Sequence, residues 1–348
     1  MTLSTDRQQS GFVLVAVIWV LASIALLAGF IATQLETLQN QSFAMEQELQ
    51  GDLDRLTVES TIKYLAATRA TSFAGLRTAP FEQEQSFDFA NSGNFFEPSG
   101  SDIRLDGRPY KVSGNQVIRL QDAGSLVSLR SDSLERLRRL LVHYALTRAE
   151  ADRLISNLLD YTDRDDSPRL NGAERFEYEK LGMLPPTNRY LVNPRQLYNV
   201  LGWQAVLDKH PQLLEEVTIY VGDNENFNTM TPLGLSDFGE RDRSEWQRLA
   251  EYRRAASFAR LSDVTRITGN FYAGDPLAVS LVPSRYLHLQ IGDVEGGKHE
   301  LIGITLTPNS NLAPWEVDFR LARNNASGKF KDKDEPLAAT VAPTPLLN

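Results

Sequence analysis

The sequence predicts an α+β chain: one long N-terminal helix, an antiparallel sheet, and an all-helical insertion between the strands of that sheet. Three observations predict it. A charge-free apolar run from Phe12 to Leu35 leads directly into a helical pattern. Extended runs rich in Val, Ile and Tyr lie on both sides of the chain's middle. Between them, from Ser131 to about residue 215, the apolar spacing switches to threes and fours.

The apolar run covers about 24 residues, against roughly 20 needed to cross a bilayer as a helix. Backbone groups in lipid must be satisfied within the segment, so a helix is the form that spans. A polar leader, Met1 to Ser10, precedes it. A secretory signal places its small-residue cleavage site after the apolar run. Here Ala28-Gly29 is followed by more apolar residues, and the small residue at the polar-to-apolar junction is Gly11. Arg7 and the terminal amine lie before the run. Glu36, Glu46, Glu48, Asp52 and Asp54 lie after it, and the first basic residue beyond it is Arg55. That asymmetry predicts a cytoplasmic N-terminus and a periplasmic remainder.

The helix is expected to continue to about Arg69. Leu49, Leu53 and Leu56, then Val58, Ile62, Leu65 and Ala66, form one apolar stripe on a polar back. Residues 74 to 100 read as a loop. Ile103 to Leu105 and Tyr110 to Val112 read as a hairpin about Asp106-Gly107, and Ser113-Gly114-Asn115 turns the chain into Val117 to Leu120. In the helical block, Ser131, Asp132 or Ser133 is available to cap a helix marked by Leu134, Leu137, Leu141 and Tyr144. Thr147 and Glu150 have the spacing of a capping box, Asn193-Pro194 opens another helix, and Gly202 closes it. Strand character returns at Val217 to Val221, Tyr286 to Ile291, Leu301 to Leu306 and Trp315 to Leu321. From about Asn324 the chain reads as a disordered tail.

Composition excludes several function classes. The formal net charge is −9, with a pI of about 5.1. Nucleic-acid binders carry a basic footprint, so nucleic acid is not expected as a partner. With no cysteine, disulfides, thiolate nucleophiles and Cys-type zinc sites are excluded. His143, His210, His288 and His299 are scattered, and there is no Gly-x-Ser-x-Gly elbow or phosphate-binding loop. The chain carries no enzyme signature.

The chemistry-bearing stretch is acidic. Asp160, Asp163, Asp165, Asp166 and Glu174 place five carboxylates on a short connection between helices, with a sharp turn offered by Asn171-Gly172. Calcium takes six to eight oxygens from such groups. The spacing is not that of an EF-hand, and a solvated acidic loop is the alternative. Asp223, Asn224, Glu225, Asn226 and Asn228 form a second oxygen-rich turn, of a kind that commonly bonds its own backbone.

Four places together resemble the minor pseudopilin K of the type II secretion system (general secretion pathway protein K), within the type IV pilin-like superfamily. They are Gly11-Phe12, which resembles a pilin signal junction; Leu158 to Asp166; Asn171 to Glu174 with Tyr178 behind it; and Asn226-Phe227-Asn228-Thr229. Departures include Tyr161, where the family usually has Trp, and Leu126 to Arg130, where it commonly has an asparagine–leucine–asparagine stretch.

The resemblance implies a pilin-like plan: leader 1–11, transmembrane helix 12–35, head 36–130, helical insertion 131–215, head again 216–323, and tail 324–348. It implies cleavage after Gly11 by the prepilin peptidase, N-methylation of Phe12, and anchoring in the bacterial inner membrane. Its implied role is at the tip of the pseudopilus, initiating or capping the filament. The implied partners are the I-type and J-type minor pseudopilins and the major pseudopilin filament, with Leu53, Leu56 and Ile62 as a docking stripe. Related heads bind calcium, which implies the same for Asp160 to Glu174. Major pilins carry Glu at the fifth mature position, paired with a neighbour's amine; here that position is Ala16. The alternatives are a minor pilin of a type IV pilus and a membrane-anchored periplasmic hydrolase.

Overall fold

The computed structural model describes residues 10–78, 96–98, 100–112, 116–130, 134–222, 225–269, 279–293 and 298–324. The chain divides into two units, 1–56 and 57–348. Helix α1 (Ser10–Thr68) is continuous, and its end agrees with the stop expected near Arg69. Within the first unit its apolar side chains are open: Trp19 is 70% and Leu26 76% exposed. The described part of α1 is long and apolar enough to cross a membrane.

In the second unit the last turns of α1 lie on a sheet. The chain runs through β1 (Gly75–Leu76), β2 (Ile103–Arg104), β3 (Asp106–Lys111), β4 (Gln116–Asp122) and β5 (Val127–Ser128). It returns as β6 (Val217–Thr218), β7 (Tyr286–Asp293), β8 (Lys298–Leu306) and β9 (Trp315–Asn324). The main sheet is antiparallel throughout, in the order β3-β4-β7-β8-β9. Alternate residues of its strands, Ile118, Leu120, Leu287, Leu289, Ile291, Ile302 and Ile304, form one core with Val58, Ile62, Leu65 and Ala66 of α1. Each fully buried aliphatic side chain there contributes roughly 1.5–3 kcal/mol. The helix is pinned as well as packed. Buried Glu59 accepts from Arg320 of β9 at 2.9 Å and from Lys63 at 2.6 Å. Burial alone raises its pKa, but the two cations more than offset that and hold the carboxyl below its usual range.

The helical insertion comprises α2 (Glu135–His143), α3 (Arg148–Thr162), α4 (Arg175–Lys180), α5 (Trp203–Lys209) and α6 (Leu213–Glu216), with a 3₁₀ turn at Pro194–Asn199. Its core, built on Leu137, Leu141, Leu158, Tyr178, Leu197 and Trp203, continues onto the sheet through Leu301 and Phe319. Gly303 lies directly across from Phe319, and a Cβ there would overlap the ring, so glycine lets the aromatic lie over β8. The expected capping box is present: Thr147 Oγ1 accepts from Glu150 N at 3.3 Å, and Glu150 accepts from Thr147 N at 2.8 Å.

Several expectations are corrected. Asp106-Gly107 does not turn a hairpin. It lies inside β3, where the register with β4 shifts between Asp106 and Pro109. Gly107, at φ +79°, accommodates the bulge, and Asp106 is buried because Arg108 holds it at 2.6 Å. Ile103–Arg104 pairs instead with Gly75–Leu76. The strand at 217 is two residues long and pairs in parallel with β5, outside the main sheet. Gly202, at φ +84°, stands at the start of α5, so Asn193-Pro194 begins a 3₁₀ turn that leads into another helix. The second half of the head is not all strand. It holds α7 (Pro232–Leu235), α8 (Arg243–Ala255) and α9 (Leu261–Thr268), around a third core of Phe227, Leu249, Phe258 and Val264. Ile62 is 4% exposed, because the head's own core takes it, so it is not a docking residue; Leu53 and Leu56 remain about half exposed. Residues 1–9 of the leader, the caps at 131–133, the turn at 113–115, and the tail beyond Asn324 lie outside the described residues.

Candidate functional site

The acidic stretch follows α3. That helix buries Ala151, Leu154, Ile155, Leu158 and Tyr161, and this face carries Asp160 inward with it, fully buried. Its carboxylate is held from the following loop. Arg169 N donates to Oδ2 at 3.0 Å, and Arg169 Nη1 donates to Oδ1 at 2.7 Å. Asn171 is left-handed at φ +62°, which bends the loop back. Gly172 then passes so close that a Cβ would overlap Asp160 Oδ2. The Asn171-Gly172 turn therefore does two jobs, reversing the chain and making room for a carboxylate.

Asp160, Asp163 and Glu174 converge, each offering an oxygen within 4.8 Å of the others. Arg169 also pairs with Asp163. Glu174 is 3% exposed, and among the described residues neither of its carboxylate oxygens accepts a hydrogen bond, nor does Asp163 Oδ1. Burial, then repulsion from Asp160 and Asp163, push the Glu174 pKa up to about 7. Buried oxygens without donors are costly unless a cation meets them. The donor set is all carboxylate, which suits a hard, oxygen-loving ion. On both counts the residues fit calcium. Asp165 and Asp166 stand apart. Both are exposed; Asp165 Oδ1 accepts from Ser167 N at 2.9 Å, and Asp166 Oδ1 from Asn188 Nδ2 at 3.2 Å. Of five expected ligands, three are brought together and two are not.

Tyr178 and Tyr161 support the loop from beneath, ring centroids 6.1 Å apart. The Tyr178 hydroxyl accepts from Leu201 N at 2.8 Å, tying α4 to the segment before α5.

The second oxygen-rich turn is different. Asp223 and Asn224 lie outside the described residues. Asn226 Oδ1 accepts from Asn228 N at 2.9 Å, and its Nδ2 donates to Val282 O at 3.0 Å. Asn228 donates to Phe258 O and Leu281 O, each at 2.9 Å, and accepts from Phe258 N at 2.7 Å. Thr229 Oγ1 donates to Asp122 Oδ2 at 2.9 Å. Asp122, at the end of β4, also receives Gly124 N at 3.0 Å and Ser284 N at 3.2 Å. Burial still raises its pKa above the usual range. Among the described residues this turn is a latch between segments. Sequence reading missed Arg169 and Asp122. Arg169 was visible as the base beside five acids, whereas nothing local marked Asp122.

A cavity of about 370 Å³ lies elsewhere in the head, lined in part by Asp106, Arg108, Glu216, Thr231, Arg253 and His288. Its polar groups are partly matched. Asp106 pairs with Arg108, and Glu216 accepts from Thr231 at 2.5 Å. Burial lowers the His288 pKa to about 4, so it stays neutral there.

Residues 116–219 match the family described as type II secretion system (T2SS), protein K. Among solved structures, the chain resembles a chain of the GspK–GspI–GspJ complex from the type 2 secretion system of enterotoxigenic Escherichia coli. The TM-score is 0.51 at 15% identity, covering 80% of this chain and 98% of that one. No curated protein matches the chain in sequence. The matched segment takes in β4, the whole helical insertion and the three convergent carboxylates. The family match extends over residues 116–219, and the likeness to the solved chain is one of fold.

Proposed function

We propose that this chain, whose residues 116–219 carry the protein K domain of the type II secretion system, is the minor pseudopilin at the tip of the pseudopilus. The observation that carries the proposal is the placement of that domain. It interrupts an antiparallel sheet that packs on the end of a long helix, and the other end of that helix is an open apolar span. Such a chain is held in the inner membrane before assembly, with its N-terminus cytoplasmic and its head periplasmic. Cleavage after Gly11 frees the helix, and Phe12 becomes the methylated N-terminus. Ala16 supports a tip position. A carboxylate in a helical bundle needs a partner, and a subunit without one forgoes attachment to a subunit ahead.

The resembled chain belongs to a complex of GspK, GspI and GspJ. By that analogy, the I-type and J-type minor pseudopilins are the partners proposed here. Leu53 and Leu56 offer them exposed apolar surface on α1. Asp160, Asp163 and Glu174 are proposed to hold calcium, which would supply the positive charge these buried oxygens lack. The role is structural, and no catalytic residue is assigned.

The test is the mature N-terminus of the protein from cells with prepilin peptidase, read by mass spectrometry, with co-purification of the I-type and J-type subunits. N-methylated Phe12 and a stable three-subunit complex are expected. An intact leader would overturn the pseudopilin reading in favour of an anchored hydrolase. Correct processing without those two partners would favour a type IV minor pilin.

A further inference from the structure

We propose that Arg169 is the resident counter-ion of the acidic site: its guanidinium holds Asp160 and Asp163 when no metal is bound, and must leave them for a divalent cation to enter. This rests on the calcium reading above and adds how the site is filled.

Guanidinium and metal would draw on the same carboxylates. Arg169 Nη1 bonds Asp160 Oδ1 at 2.7 Å and also bonds Asp163. Those two carboxylates, with Glu174, are the convergent donor set. A cation that draws on the same carboxylates meets a positive charge already beside them. Guanidinium stays charged at every accessible pH, so deprotonation cannot release it. It must move. The Arg169 side chain is 42% exposed, so a path to solvent is open.

Backbone and side chain have separate tasks. Arg169 N–H holds Asp160 Oδ2 at 3.0 Å, and that bond does not depend on where the guanidinium lies. Asp160 therefore stays oriented after the side chain leaves. Glu174 remains the unanswered charge, buried and with no donor on either oxygen. One guanidinium offsets only part of the cluster's negative charge, and a divalent ion offsets more of it. The pairing lowers apparent metal affinity by the fraction of molecules in which Arg169 occupies the oxygens. Such a site fills and empties with ambient calcium instead of holding it permanently.

The experiment is calorimetric titration of calcium into the full chain in detergent, with Arg169→Gln and Arg169→Lys beside the parent. Both variants keep the backbone bond to Asp160. Arg169→Gln is expected to bind calcium about tenfold tighter or more, and to melt at lower temperature than the parent in chelator. Arg169→Lys, which keeps the charge but not the fork, should fall between them. Binding by Arg169→Gln alone would also support the proposal, as the extreme of the same competition. Equal or weaker binding by Arg169→Gln, with calcium still bound by the parent, would overturn the proposal and leave the calcium reading intact. If neither parent nor variant binds calcium, the calcium reading itself fails, and this proposal with it.

Discussion

Two turns in this molecule gather side-chain oxygens, and they do opposite things. The turn at Asn226 to Thr229 is closed. Its amides meet Phe258, Leu281 and Val282, and its hydroxyl meets Asp122. The loop from Asp160 to Glu174 is open. Three carboxylates converge there, one guanidinium answers two of them, and Glu174 has no side-chain cation beside it among the described residues. The difference lies in whether each oxygen is already satisfied. Amide groups both give and accept, so a buried amide turn can complete itself. Ionised carboxylates only accept, so a buried cluster of them draws a proton or a cation from outside.

The largest effect should come from the closed turn. Asn228→Ala removes three bonds from a fully buried residue and leaves Phe258 and Leu281 groups unmet. A loss of about 3–4 kcal/mol is expected, measured by denaturant unfolding. The loss should be the same with calcium or with chelator. A loss that calcium repairs would erase the distinction between the two turns.

The open loop should respond to the ion. At a hundredfold excess over Kd, a ligand that binds only the folded state stabilises it by about 2.7 kcal/mol. Calcium should therefore raise the melting temperature, and magnesium much less, because magnesium sheds water reluctantly and demands tight octahedral geometry. Asp160→Asn with Glu174→Gln should abolish the calcium effect. An unchanged melt on chelation of the parent would mean the loop completes itself after all.

Glu216 tests the same physics away from the loop. Burial pushes its pKa up to about 7, opposed by the hydrogen bond from Thr231 and by Arg136, and assisted by Glu215. A carboxyl whose pKa is raised in the fold adds stability fully below its unfolded value near 4.5, and this is lost as pH rises through about 7. Stability should therefore fall across that window by on the order of 1–3 kcal/mol from this group. Glu216→Gln should flatten that part of the pH profile, with or without calcium. A parent profile that does not change on this substitution would show the carboxyl to be answered already.

How much of this was legible in the sequence follows from how far each cause reaches. The span from Phe12 to Leu35 and the Thr147–Glu150 box are local, and the residues state them. The convergence of Asp160, Asp163 and Glu174 was half legible. Five acids in a short loop were plain, but which three converge depends on the left-handed Asn171 and the bare Cα of Gly172. Besides Gly124, the partners of Asp122 are Thr229 and Ser284, 107 and 162 residues away and beyond any spacing argument. Ile62 continued the stripe of Leu53 and Leu56, yet only the fold decides where a stripe passes from open surface to core. Helix α8 was missed although its signals were present, an Asp242 cap and basic residues in the last turn, because the strand runs around it suggested a simpler head.

The smallest effect is the most discriminating for the ligand set. Asp165 and Asp166 are exposed, and each carboxylate is used by its own turn, through Ser167 N and Asn188. Asp165→Asn and Asp166→Asn keep the accepting oxygen and remove only charge. Each should change stability by no more than about 0.5 kcal/mol. Each charge still attracts a nearby cation through solvent, so calcium binding should weaken by only about two- to threefold. That residue of the effect should disappear in high salt, because screening acts on exposed charges first. A ligand lost from the ion itself would not be recovered or masked by salt. If Asp165→Asn alone abolished calcium binding at every ionic strength, the bound loop would have to differ from the one seen here. All five carboxylates would then return as candidates, and the division between the converging three and the solvated two would fall.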